Sequence, residues 1–204
     1  MATPDKTKTF DVLATLQQAA ESGNAKAQYQ LGKMYATGDM VAVNYPQAVA
    51  WVGLAAEQSD VDAMTMMAWF YSNGFGVKQN DEKAAAWTKL GAQGGVAKCQ
   101  YALAHLYRFG GGGLQKDAKM MLLWYQKAAE QHFVPAMHAL GKMMAAGEML
   151  AEDKIGAYQW LTFAVLGGSD KAKDSLSALA SRMTKKERET AQGILTQAAG
   201  QVAD

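Results

Sequence analysis

Small and large apolar residues recur at helical spacing along this chain, and the whole pattern then repeats. Ala27, Leu31 and Tyr35 share one face of a helix, and Ala48, Trp51 and Ala55 share a face of the next. Shifted by 36 residues, Ala27, Gly32, Tyr35, Gly38, Ala48 and Trp51 become Ala63, Ala68, Tyr71, Gly74, Ala84 and Trp87. Cys99, Ala104, Tyr107 and Gly110 start a third copy. After one extra residue, Trp124, Ala136, Gly141, Gly147, Ala157 and Trp160 carry the series on. A period of this length built from two amphipathic helices predicts stacked helix pairs, each burying its apolar face against its neighbours.

Polar and special residues punctuate the pattern. Glycine at 38, 74, 110 or 147 is placed to end each first helix, because it accepts the left-handed conformation common at helix C-termini. Asn44, Asn80, Asp117 and Asp153 each stand seven residues before a tryptophan, where they predict the N-cap of the second helix. Pro46 suits the first turn of such a helix, where its missing N–H is not needed. Gly32 and Gly141 fall mid-helix, at a cost of about 1 kcal/mol against alanine, which predicts a close helix crossing there. The repeated tryptophans take core positions, as do most of the thirteen methionines; Met64, Met66 and Met67, Met120 and Met121, and Met143 and Met144 could suggest soft-metal binding, but thioethers with no nearby thiol make an incomplete set for it. Gly110 to Gly113 predicts a lengthened, mobile turn rather than a phosphate cradle, since neither a preceding strand nor a following Lys-Ser or Lys-Thr accompanies it.

Leu31-Gly32-x-Met34-Tyr35, Gly74-Phe75-Gly76-Val77 and Trp124-Tyr125-x2-Ala128-Ala129-Glu130 resemble the consensus of the Sel-1-like repeat family, relatives of the tetratricopeptide repeats. The resemblance implies an all-α fold, a right-handed α/α superhelical solenoid. Its four helix-turn-helix repeats would fall at about 25–60, 61–96, 97–133 and 134–168, in a single domain over 10–200. Capping helices are expected at 10–22, 170–182 and 185–199, behind a flexible stretch at 1–9. The first carries Thr15 where a tryptophan would stand, as suits an end of the array, and Thr184 with Glu187 forms a capping box for the last, whose Lys185-Lys186-Glu187-Arg188-Glu189 start is expected to be solvated.

Composition narrows the function more than the fold. A net charge of +1 gives no general attraction to nucleic acid or to an anionic membrane. No apolar run could serve as a signal peptide or span a membrane, so a soluble, cytoplasmic chain is expected, or a periplasmic one if a leader is removed. Cys99 is the single cysteine, in a column otherwise Ala, which predicts a buried thiol and no intramolecular disulfide. His105 and His138 lack a third ligand for zinc, and neither a metal nor a cofactor is expected. Some relatives of this family are linked to β-lactam chemistry. Neither Ser-x2-Lys nor Lys-Thr-Gly occurs here, which leaves a hydrolase as a remote alternative to a non-enzymatic chain.

In the related tetratricopeptide arrays the first helices line a concave groove, and this resemblance brings three columns to that face. Lys33, Trp69, His105 and Lys142 form one. Tyr29, Thr65, Tyr101 and His138 precede it by a turn, and Ala36, Ser72, Arg108 and Ala145 follow it. No carboxylate enters these columns until Asp174. Tyr29, Lys33, Trp69, Tyr101, His105, Arg108, His138 and Lys142 are therefore the candidate partner-binding residues. The expected function is an interaction module or adaptor for a protein or peptide carrying acidic groups, with cations pairing charge and aromatics supplying anchors. A dedicated inhibitor, such as an immunity protein masking one toxin or enzyme, is the alternative.

Overall fold

The protein is described by a computed structural model that covers residues 6–148 and 152–200. Its regular elements are all helices: Lys6–Glu21 (α1), Ala25–Thr37 (α2), Tyr45–Glu57 (α3), Val61–Asn73 (α4), Asp81–Gln93 (α5), Ala97–Phe109 (α6), Ala118–Glu130 (α7), Val134–Ala146 (α8), Lys154–Leu166 (α9), Asp170–Arg182 (α10) and Lys185–Gly200 (α11). From α2 to α10 each helix is 13 residues long, which keeps equivalent columns aligned from one repeat to the next. α1 starts at Lys6, so helix extends into the stretch expected to be flexible.

The punctuation behaves as its chemistry requires. Gly38, Gly74 and Gly147 end α2, α4 and α8 in the left-handed conformation, with φ of 77°, 72° and 64°. Asn44, Asn80, Asp117 and Asp153 each accept an amide of the helix that follows, at 2.8 to 3.1 Å. Asn24, Asp60 and Ser169 cap α2, α4 and α10 in the same way, although the tryptophan spacing did not point to them. Thr184 and Glu187 form the expected capping box, each accepting the other's amide.

The chain forms two compact units, one of residues 1–99 with Phe109–Lys116, the other of 100–108 with 117–204. In the first, Ala48, Val52, Ala55 and Ala56 of α3 pack with Ala63, Met64, Met67 and Phe70 of α4. α2 crosses α3 closely: a methyl group at Gly32 would lie 2.5 Å from Val52 Cγ2 and 3.0 Å from the Ala48 carbonyl. In the second unit α8 crosses α9 identically, with a methyl at Gly141 coming 2.6 Å from Leu161 Cγ. Glycine is tolerated mid-helix because no Cβ fits at the crossing.

Three expectations are corrected. Of the repeated tryptophans only Trp124 is buried, whereas Trp51, Trp87 and Trp160 keep part of the indole in solvent, the side chain being too large for the space at the edge of the helix pair. Gly111 and Leu114 exchange two backbone hydrogen bonds, of 3.1 and 2.9 Å, so the glycine cluster is a bonded hairpin rather than a loose turn. Gly112 and Gly113 close it with φ of 56° and 78°, the conformation that a two-residue hairpin demands. In the charged start of α11, expected to be solvated, Arg188 turns inward and donates to the carbonyls of Ala180 and Met183, both at 2.8 Å.

Candidate functional site

The candidate residues divide between the two units. In the first, Tyr29 is half-buried and Lys33 exposed on α2, while Trp69 on α4 is 41% exposed. Burial, followed by the carboxylates of Asp62 and Asp60, raises the Tyr29 phenol above its ordinary pKa. Trp69 does not stand alone. Its ring lies 4.9 Å from Phe75 and 6.4 Å from Tyr45, and Tyr45 stacks on Phe75 at 4.8 Å. The Gly74-Phe75-Gly76 turn makes this cluster. Gly76, at φ of 71°, lies so close to the Tyr45 carbonyl that a methyl group there would come within 2.5 Å of it. That contact presses the turn onto the start of α3 and sets Phe75, itself 37% exposed, between the other two rings. Sequence reasoning found Trp69 and missed Phe75 and Tyr45, since nothing in a column pattern says that a turn residue will meet a helix start.

In the second unit α6 presents Tyr101, His105 and Arg108. Tyr101 packs against Phe133 and the fully buried Tyr125, each at 5.5 Å, which makes it part of a wall rather than a free anchor. Arg108 already holds a carboxylate. Its Nη2 donates to both oxygens of Glu148, at 2.7 and 2.6 Å, and that bond, ahead of all else, raises the guanidinium above its ordinary value. The three columns themselves hold no carboxylate before Asp174, but Glu148 brings one to Arg108 from beside them. Glu148 lies just past the end of α8, outside the helical columns, so the columns could not show it.

His138 shares a 3.0 Å hydrogen bond with Ser175, and Lys142 is exposed one turn further along α8. Burial depresses both histidines below the ordinary imidazole range, with Arg108 adding to the effect at His105 and Lys142 and Lys171 at His138. Among the described residues no three His, Cys, Asp or Glu side chains are grouped as a metal site would need. Cys99 is buried and 3.1 Å from the Thr65 hydroxyl. Burial raises its pKa, which makes it a poor nucleophile. No helix among the described residues is long and apolar enough to cross a membrane.

The sequence profile of the Sel1 repeat matches residues 25–60, 61–96, 97–133 and 134–169. No curated protein matches the chain. Among solved structures, a protective antigen of uropathogenic Escherichia coli strains that displays an SLR fold is 32% identical, with a TM-score of 0.79 over 83% of this chain and 36% of the other. A Sel1 repeat protein from Oxalobacter formigenes is also 32% identical, with a TM-score of 0.77 over 82% of this chain and 48% of that one. The chain thus spans less than half the length of either.

Proposed function

The chain belongs to the Sel1 repeat family, and from that premise we propose that it captures a protein partner on its first-helix face, with the Tyr45, Trp69 and Phe75 cluster as the anchor. Sel1 repeats are typically non-enzymatic scaffolds that mediate protein–protein interaction. The observation that carries the choice of surface is the exposure of Trp69 and Phe75 side by side. Single exposed apolar residues are ordinary, but a contiguous aromatic patch is the kind of surface a partner covers.

Lys33 in the first unit and Lys142 in the second, both exposed, suit a partner with acidic groups. Arg108 contributes to that recognition only if a partner carboxylate replaces Glu148. An adaptor and a dedicated inhibitor would use the same surface and separate on affinity, the first near micromolar for several partners, the second on the order of nanomolar or tighter for one.

The test compares wild type with a Trp69→Ala, Phe75→Ser double variant, shown by circular dichroism to be folded, in calorimetric titration of a partner captured from cell extract. The expected loss is at least about thirtyfold in affinity, the scale of an aromatic hot spot. Unchanged affinity would remove the cluster from the binding surface.

A further inference from the structure

Within the internal repeats the second helix is covered by the first helix of the same repeat. Gly32 of α2 lies over Ala48 and Val52 of α3, and Gly141 of α8 over Ala157 and Leu161 of α9. The equivalent pairs, Ala84 with Thr88 and Met121 with Tyr125, are buried as well. α1 is built as one more second helix, its Ala19-Ala20-Glu21 matching Ala55-Ala56-Glu57 at 36 residues. Its equivalent pair is Val12 and Leu16. Val12 is 55% exposed and Leu16 half-buried, and among the described residues no first helix precedes α1 to cover them. An open cavity of about 550 Å³ takes that place, lined by Val12, Thr15, Leu16 and Ala19 of α1 and by Lys26 and Ala27 of α2.

We propose that this cavity is the seat of an amphipathic helix from another protein. The occupant carries Gly or Ala where it crosses Leu16, a carboxylate three residues earlier, and a bulky apolar side chain over Thr15. The crossing requirement comes from Gly32 and Gly141, where a Cβ would collide with the second helix, and from Ala68 and Ala104, which hold the same column in the other two repeats. The carboxylate follows from Lys26, which lines the cavity itself and matches Asp62 of the next copy, a neighbour of Tyr29, three residues before Gly32. Lys26 carries the charge opposite to that of Asp62, so a carboxylate is preferred beside it.

The bulky group follows from Thr15. Trp51, its equivalent, packs against the cluster of Ala20, Ala27 and Leu31, and threonine leaves that volume unfilled. The first helices of this chain carry Ala27, Ala63, Cys99 and Ala136 in the column nearest the helix start. A helix of the repeat's own kind would therefore leave a void over Thr15 and forfeit its dispersion contacts. The seat fits a helix of a different sequence.

The probe is a stapled peptide with the α8 sequence, residues 134–146, carrying Ala136→Phe and His138→Glu, titrated into the full chain by fluorescence anisotropy. Saturable binding is expected, weakened on the order of tenfold or more by Val12→Glu in the chain, which sets a charge in an apolar seat. Val12 is exposed, so its replacement leaves the fold intact, as circular dichroism would verify. A peptide that keeps His138 should bind about two- to fivefold more weakly, the scale of a surface ion pair. Trp69→Ala with Phe75→Ser should leave this binding unchanged, which separates the seat from the aromatic cluster. No saturable binding, or equal binding by Val12→Glu, would overturn the proposal. So would a dimer of the wild-type chain that Val12→Glu dissociates, since a second copy would then fill the seat.

Discussion

Ser59 and His132 hold left-handed backbone, with φ of 67° and 58°, in a column that is otherwise Gly23, Gly95 and Gly168. A side chain costs about 1 kcal/mol or more in that region, partly offset by the entropy glycine loses on folding. Ser59→Gly and His132→Gly should each stabilise the fold by up to about 1 kcal/mol in urea denaturation, and a loss of stability would contradict the strain. Glycine inside helices divides into two kinds. A methyl at Gly53 would meet nothing within 4 Å, so Gly53→Ala should stabilise by about 0.5–1 kcal/mol. Gly32→Ala should instead destabilise by about 1–3 kcal/mol, because the crossing with α3 must open. Propensity alone gives these two substitutions the same sign. The depressed histidines make stability fall with acidification: as pH drops through about 6.5 the unfolded chain takes up protons first. Replacing both His105 and His138 by Gln should flatten that fall between about pH 7 and pH 5, read as melting temperature against pH. A slope unchanged by the substitutions would assign the acid sensitivity elsewhere.

Helix ends were legible where the capping side chain stands at a fixed distance from a repeated residue, and Asn24, Asp60 and Ser169, which lack that marker, were missed. Asn44 and Asp153 could be placed as caps because the cap sits at a fixed distance from the tryptophan and needs no partner beyond its own helix. Asp117 accepts two amides, from Lys119 and Met120, so Asp117→Ala should cost about 1–2 kcal/mol and fray the start of α7, visible as faster amide exchange there. Contacts between elements were harder to see. The Gly111 hairpin depends on Gly112 resting on the Asp81 carbonyl of α5, and the Arg108 bond depends on a residue forty positions away. The amide pairs Gln28 with Gln58 and Gln100 with Gln131 occur in repeats one and three, where Met64 with Gly94 and Met137 with Gly167 stand in the other two. That pairing of columns is present in the sequence, but only the hydrogen bonds show why the two must change together.

Across the whole molecule, the repeat dictates the architecture, and the departures from it are where we propose that a partner binds. Trp69 stands in a column of Lys and His, Phe75 in a turn, and Thr15 in a column of tryptophan. A rival surface exists on the second helices, where Leu54 and Leu90 are exposed at equivalent positions. They are separate aliphatic side chains without a joining ring, which is the ordinary state of a protein surface. The most direct measurement is site-specific photo-crosslinking in cells, with benzoylphenylalanine replacing Phe75 in one variant and Leu90 in another. The expected result is a discrete crosslinked partner from position 75 and none from position 90. A partner captured from position 90 and not from 75 would place recognition on the second helices and contradict the first-helix surface.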